Sequence, residues 1–349
     1  MNCLIEQDSI CVFDSKGGFS NTKIRLNSLE DLKKYKIKHM IMLFSNLNKI
    51  PSCEIEELSI SYTDNISSIP YIKSLKKLSI RNCSGISSIS CLPNLKILSI
   101  FDSDVIKIPC FPKLKVLKIG GNIEIPKIET LILLYICYND LSKLPFFPNL
   151  KYLEIYNCNN IKKIPNMKSL EKLSIERNKN ISFIPYFPNL KCLICSNSEI
   201  TKIPYCKKLR LLAMVNCKVK KLPILYNLKS MECSRTLIKT IPKEFTKLKE
   251  LYCEYCPNLV SIEIDNEEQQ IYSGYCDKLV KIPKNSDLKE FNDCYWINLE
   301  NDKKKNIEKL ISKIRTKSLN KIYKKLVDKY RNENLMDGNI FKIVNVYSR

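Results

Sequence analysis

Apolar and polar positions alternate along this chain in a frame that keeps returning. From Ile37 to about Leu299 the pattern L-x-x-L-x-I-x-x-[C/N/S/T], two further apolar residues and usually a proline recurs every 19 or 20 residues, about fourteen times. A period in that range marks a solenoid, in which each unit buries its apolar face only against its neighbours. The first column runs Ile37, Ile55, Leu75, Leu95, Leu114 and onward to Leu288, broken only at Glu268. Three residues later stand Met40, Leu58, Leu78, Leu98 and their equivalents as far as Phe291, and two later Met42, Ile60, Ile80, Ile100 and on to Ile175. A spacing of two is a strand period, so each unit is expected to carry one short strand with both residues facing inward. Stacked units would pair these strands into one parallel sheet.

Eight positions after the first column come Ser45, Thr63, Cys83, Ser103, Asn122, Asn139, Cys158, Asn178, Ser198, Cys217, Thr236, Cys256 and Cys276. A turn buried between coils leaves backbone groups without water, and small polar side chains can satisfy them without opening the stack. This column therefore reads as an internal ladder. The units close with Ile-Pro or Leu-Pro, as at Pro70, Pro109, Pro145, Pro185, Pro204 and Pro242. Proline lacks an N–H and fixes φ, so the return segment is expected to be extended or polyproline-like.

Taken together, these columns resemble the leucine-rich repeat, whose core is L-x-x-L-x-L-x-x-N/C-x-L. The closing proline and repeat length are similar to the short bacterial class of secreted effectors. Cys followed three residues later by Ile, as in Cys83 and Ile86 or Cys158 and Ile161, is similar to the cysteine-containing class of ubiquitin-ligase adaptors. The Ile, Asn and Lys bias is also similar to uncharacterised leucine-rich-repeat proteins of giant DNA viruses of amoebae. The resemblance implies an α/β repeat solenoid of horseshoe form, with a parallel concave sheet and a mostly extended convex side. It also implies a protein partner, commonly on the concave face.

Three parts follow: an N-terminal cap over 1–36, a repeat solenoid over 37–300, and a basic helical C-terminal cap and tail over 301–349. The first cap is expected to hold a hairpin around Gly17 and Gly18, then a short helix started by Ser28 with Asp31 in the capping position. In the last part Ile307, Leu310, Ile311, Ile314, Ile322, Leu326 and Tyr330 fall on one helical face. With only 7 glycines in 349 residues, no glycine-rich phosphate loop or dinucleotide fingerprint is present. Residues 1 to 13 carry Glu6 and Asp8 and no long apolar run, so neither a signal peptide nor a membrane span is expected.

The 17 cysteines fall largely into the repeat register. Cys195, Cys233 and Cys253 take the inward Ile column, and Cys192 points away from Cys195, which argues against zinc and for packing. An odd thiol count with no signal peptide fits a reducing, cytoplasmic setting. His39 is the only histidine, and no nucleophile motif accompanies it, so no catalytic residue, cofactor or metal is expected.

A formal charge of +22 is arranged in columns. One holds Lys38, Lys76, Lys96, Lys115, Lys151, Lys191, Arg210, Lys229, Lys249 and Lys289; another holds Lys49, Lys107, Lys143, Lys163, Lys202, Lys221 and Lys281. Residues 301 to 331 add twelve Lys and Arg against three Asp and Glu. Such stripes attract RNA, acidic proteins or anionic lipid. The outward strand positions differ, with Tyr152, Tyr156, Tyr252, Tyr255, Tyr272, Tyr275 and Tyr295 beside Glu232, Glu250, Glu254 and Glu290. Tyrosine is enriched at binding hot spots. The leading expectation is a monomeric, non-enzymatic scaffold that binds a protein through these residues. The alternatives are a nucleic-acid or anionic-surface binder using the Lys stripes and basic helix, and a ubiquitin-ligase substrate adaptor.

Overall fold

In the computed structural model the described residues are 1–6, 9–13, 24–26, 28–264, 270–283 and 287–290. The chain divides into two units, one of 1–181 with 187–189 and one of 182–186 with 190–349.

The first unit is a parallel ladder in the register of the apolar columns. Strands His39–Leu43, Glu57–Ser61, Lys77–Cys83, Ile97–Ser103, Val116–Gly120, Leu133–Cys137, Tyr152–Tyr156 and Lys172–Glu176 pair in that order. Met40, Leu58, Leu78, Leu98, Leu117, Leu134, Leu153 and Leu173 are opposite one another in turn, and all are buried. The second unit repeats the arrangement with shorter strands, Cys192–Ile194, Leu211–Ala213, Ser230–Glu232, Glu250–Tyr252, Gln270–Tyr272 and Asp287–Glu290. Burying each such Leu or Ile is worth about 1.5 to 3 kcal/mol. In this way every repeat depends on its neighbours for its core.

Return segments are mostly irregular, with two-residue strands Ser68–Ile69 and Ser88–Ile89 paired in the first unit and Thr240–Ile241 and Ser261–Ile262 in the second. Behind the sheet, the position three before the first Leu forms a buried spine that includes Phe111 and Phe147 in one unit and Phe245 in the other. No α-helix occurs among the described residues.

The polar column does form an internal ladder. Asn178 shows it most fully: its Oδ1 accepts the Cys158 N–H at 2.8 Å, and its Nδ2 donates to the carbonyls of Ile155 at 2.9 Å and Glu176 at 2.8 Å. Asn139 donates to Gly121 and Ile123, and Thr236 to Cys233. The cysteines serve as weak donors: Cys217 Sγ gives to the Cys195 carbonyl, Cys256 to that of Cys233, and Cys276 to that of Cys253. Ser103 Oγ is buried and has no hydrogen-bond partner.

Four expectations need correction. The N-terminal segment extends the sheet as well as capping it: Asn2–Glu6 pairs parallel with His39–Leu43, so Cys3 and Ile5 fall opposite Met40 and Met42. Its other side pairs antiparallel with Ser9–Phe13, which pairs in turn with Ile24–Leu26 around the expected hairpin, whose turn lies outside the described residues. The helix after Ser28 is a 3-10 turn, Leu29–Lys34, and Ser28 makes no side-chain cap. Ser28 Oγ instead donates to Asp31, whose carboxylate also accepts from Lys34 Nζ at 2.7 Å and from the Ser28 backbone N–H, as the capping position requires. Leu288 aligns with Ile271, one column later than the sequence frame places it, and a register shift sets Glu290 opposite Tyr272. Finally, Glu254, Tyr255 and Tyr275 lie on turns after the strands and not on the strands themselves. The C-terminal helix expected in 301–349 lies outside the described residues.

Candidate functional site

Along the repeats, the residue just ahead of the small polar column has left-handed backbone. Phe44, Tyr62, Asn82, Asp102, Tyr138, Asn157, Arg177, Asn197, Asn216, Arg235, Tyr255 and Tyr275 have φ between 47° and 58°, and Gly121 takes the equivalent place at 88°. That conformation costs a residue with a Cβ about 1 kcal/mol or more. It persists because the N–H is used: Tyr62 donates to Arg81, Tyr138 to Tyr156, Arg235 to Glu254 and Tyr255 to Gly274, carrying the ladder past the strand end. Side chains from this column then lie beside the outward strand residues.

In the second unit both positions carry a stacked tyrosine pair. Glu232 is opposite Tyr252, and Tyr252 is opposite Tyr272. The Tyr252 and Tyr272 rings stack at 4.5 Å between centroids and 5° between planes. Glu250 lies two residues before Tyr252 on its strand, so the carboxylates of Glu232 and Glu250 border one aromatic pair, and Glu254 follows on the turn. Burial and then Tyr272 and Glu250 raise the Tyr252 phenol above its ordinary pKa. On the turn column, Tyr255 and Tyr275 stack at 4.4 Å and 6°, with the Arg235 guanidinium 5.1 Å over the Tyr255 ring. Tyr252, Tyr255 and Tyr275 remain 38, 43 and 42% exposed.

Charge separates this patch from its surroundings. Glu56, Glu57, Glu124, Glu129, Glu154, Glu171, Glu199 and Glu263 are all ion-paired to lysine. Among the described residues Glu232, Glu250 and Glu254 have no such partner. In a chain so rich in lysine, carboxylates near the stacked pair are thus left without a lysine partner among the described residues.

The first unit places Tyr152 and Tyr156 differently. Tyr152 is exposed opposite Lys172, but the Glu154 carboxylate between the two tyrosines is taken by Lys172 Nζ at 2.7 Å. Tyr156 packs edge-on against Tyr138 at 5.6 Å and lies under Arg177 at 5.5 Å. Further along the same face, Arg81 covers Phe101 at 5.7 Å, and Phe101 meets Tyr135 at 6.1 Å. Gly120 is required there, because an added Cβ would come within 2.6 Å of the Phe101 ring. Burial, followed by Cys137, pushes the Tyr135 phenol up to about 12.

Sequence reasoning thus found the strand tyrosines and missed Arg81, Phe101, Tyr135, Tyr138, Arg177 and Arg235. For Tyr138, Arg177 and Arg235 the available signal was the position just ahead of the small polar column, where aromatic, Arg and Asn residues recur; Arg81, Phe101 and Tyr135 are outward strand residues. Glu290 is in a strand, though its side chain lies outside the described residues, as does Tyr295 entirely. His39 pairs with Glu57 at 3.3 Å, which Lys77 also contacts.

The thiols belong to packing. Cys195, Cys233, Cys253 and Cys256 are fully buried, whereas Cys192 is half-buried on the outward face. Burial pushes Cys3 up to about 12 and Cys158 up to about 11. Where thiols adjoin, Cys195 lowers Cys217 to about 7, and Cys233 and Cys276 pull Cys256 down, with burial opposing in both cases. Among the described residues no three His, Cys, Asp or Glu gather as a metal ion would need. No helix among them is long and apolar enough to cross a membrane.

No protein-family model matches the sequence, and no curated protein matches it either. Its structural neighbours are leucine-rich repeat proteins. YopM from Yersinia enterocolitica aligns at 16% identity over 73% of this chain and 72% of its own, with a TM-score of 0.42. YopM of Yersinia pestis, a leucine-rich effector protein, aligns at 16% identity over 74% and 77%, with a TM-score of 0.43. A chain of the Drosophila Toll–Spatzle complex aligns at 12% identity over 83% and 53%, with a TM-score of 0.47. Likeness at this level does not extend to activity or partner.

Proposed function

We propose that this chain is a non-enzymatic scaffold that recognises another protein through its outward strand face. The carrying observation is the stacked Tyr252 and Tyr272 pair bordered by Glu232 and Glu250, two carboxylates without an ion pair among the described residues. Stacked tyrosines offer rigid contact area at small entropic cost, and their hydroxyl tips can bond to a partner. Unpaired carboxylates beside them favour a partner with a basic or mixed surface over a phosphate backbone. Tyr255, Tyr275 and Arg235 widen the same surface, and Tyr152 and Tyr156 offer a separate contact on the other unit.

The test is affinity purification of the partner before and after nuclease treatment, with wild type and a Tyr252→Ala, Tyr255→Ala, Tyr275→Ala variant. A protein retained after nuclease and lost from the variant supports the reading. Capture that disappears with nuclease points instead to nucleic acid on the Lys columns.

A further inference from the structure

The return segments of the second unit carry an exposed apolar column that the strand face does not use. In each, the chain alternates between core and solvent around the proline: buried Ile184 precedes exposed Tyr186, buried Ile203 and Cys206 enclose Tyr205, and Ile224 precedes buried Leu225. Tyr186, Tyr205 and Ile224 are 52, 47 and 39% exposed, and Phe183 and Tyr226 on neighbouring positions are 67 and 54% exposed. The repeats are in register on this side, since Asn227 Nδ2 donates to the Lys207 carbonyl one repeat back at 2.9 Å while its Oδ1 accepts from Lys247 Nζ at 2.7 Å.

Lysines run through the same segments. Lys202, Lys220, Lys221 and Lys239 are all exposed. Between 182 and 249 there are fourteen Lys and Arg against three Glu. Of those three, Glu232 belongs to the strand face and Glu199 is paired with Lys218, which leaves Glu244. Large apolar side chains thus stand among exposed cations on the return segments of this unit, and in the first unit the same column carries Tyr71 and Phe146, 61 and 50% exposed.

We propose that this back surface docks on an anionic phospholipid bilayer, with Tyr186, Tyr205 and Ile224 seated at the headgroup boundary and Lys202, Lys220 and Lys221 on the headgroups. Tyrosine suits that boundary because its ring is apolar and its tip wet. A lysine stem lies along apolar surface while its ammonium reaches an anionic headgroup, and each basic residue near such a surface adds attraction of similar size. Single-stranded nucleic acid would use the same cations but would need ring faces for its bases. Ile224 offers no π-face, yet it stands in the same column as Tyr186 and Tyr205, so bulk apolarity is what the column has in common.

The experiment is co-sedimentation of the full chain with vesicles of phosphatidylcholine alone or of phosphatidylcholine with phosphatidylserine, with a single-stranded oligonucleotide as a separate arm. Wild type should partition onto the anionic vesicles and not the neutral ones. Tyr186→Ser, Tyr205→Ser, Ile224→Ser and, separately, Lys202→Glu, Lys220→Glu, Lys221→Glu should each reduce partition by at least about tenfold. A Tyr186→Phe, Tyr205→Phe variant should partition as wild type, and unchanged circular dichroism should show all variants folded. Partition retained by the serine variant would overturn the proposal, because binding would then be carried by the basic 301 to 331 segment or by charge alone. Binding to the oligonucleotide but not to anionic vesicles would overturn it as well.

Discussion

Asn178 reaches across the stack to the backbone of Cys158, accepting its N–H at 2.8 Å while donating to two carbonyls of its own and the preceding repeat. One fully buried amide thus satisfies three backbone groups that water cannot reach. Replacing it with Ala orphans them together, and an orphaned buried group costs about 1 to 3 kcal/mol. Asn178→Ala should therefore lower stability by about 3 kcal/mol or more, read as a lower urea midpoint by circular dichroism. An unchanged midpoint would show that the ladder is not what holds these turns.

Thiol reactivity separates packing cysteines from surface ones. Cys91 and Cys110 are exposed, whereas Cys83, Cys158, Cys195, Cys233, Cys253, Cys256 and Cys276 are buried. A thiol reagent applied to the native protein should label Cys91 and Cys110 quickly and the buried set only on unfolding. Chelator and reducing agent should leave the melting temperature unchanged. A drop in melting temperature with chelator would reveal a structural metal.

Alkaline stability follows from the raised acids. Burial takes Cys3 from 9.0 to about 12 and Tyr135 from 10.0 to about 12. Both stay protonated in the fold at pH values where the unfolded chain has lost the proton. Their contribution is complete below about pH 9 and is lost as pH rises toward about 12. The melting temperature should fall across that window, and Tyr135→Phe should remove the Tyr135 part of the decline. A flat profile from pH 9 to 12 would contradict the shifts.

Most of the ladder was legible in the sequence because one strict period fixes both strand spacing and which residues face inward. Met40, Leu58 and Leu78 align as their frame requires. Local departures were less legible. Asn2–Glu6 joins the sheet through a single copy of the strand pattern, too short for a period to expose. Leu288 pairs one column out of frame, and neither that slip nor the register shift at Tyr272 leaves a sequence mark. The left-handed turn column escaped notice because its Tyr and Arg residues are held there by neighbouring repeats' carbonyls, against local preference. Consequently the tyrosines were found as residues, but their stacking and the guanidinium over Tyr255 were not.

The central claim is that recognition rests on the tyrosine and glutamate surface and not on the lysine columns. Counterion release makes polyanion binding fall by orders of magnitude between about 50 and 200 mM salt, whereas a largely aromatic contact loses far less. The direct measurement is partner affinity across that range for wild type, for Tyr252→Ala, Tyr255→Ala, Tyr275→Ala, and for Lys303→Glu, Lys304→Glu, Lys305→Glu. We expect a shallow salt dependence, abolished binding in the tyrosine variant and a modest change in the lysine variant. Steep salt dependence, with binding eliminated by the lysine reversal and untouched by the tyrosine replacement, would contradict the account.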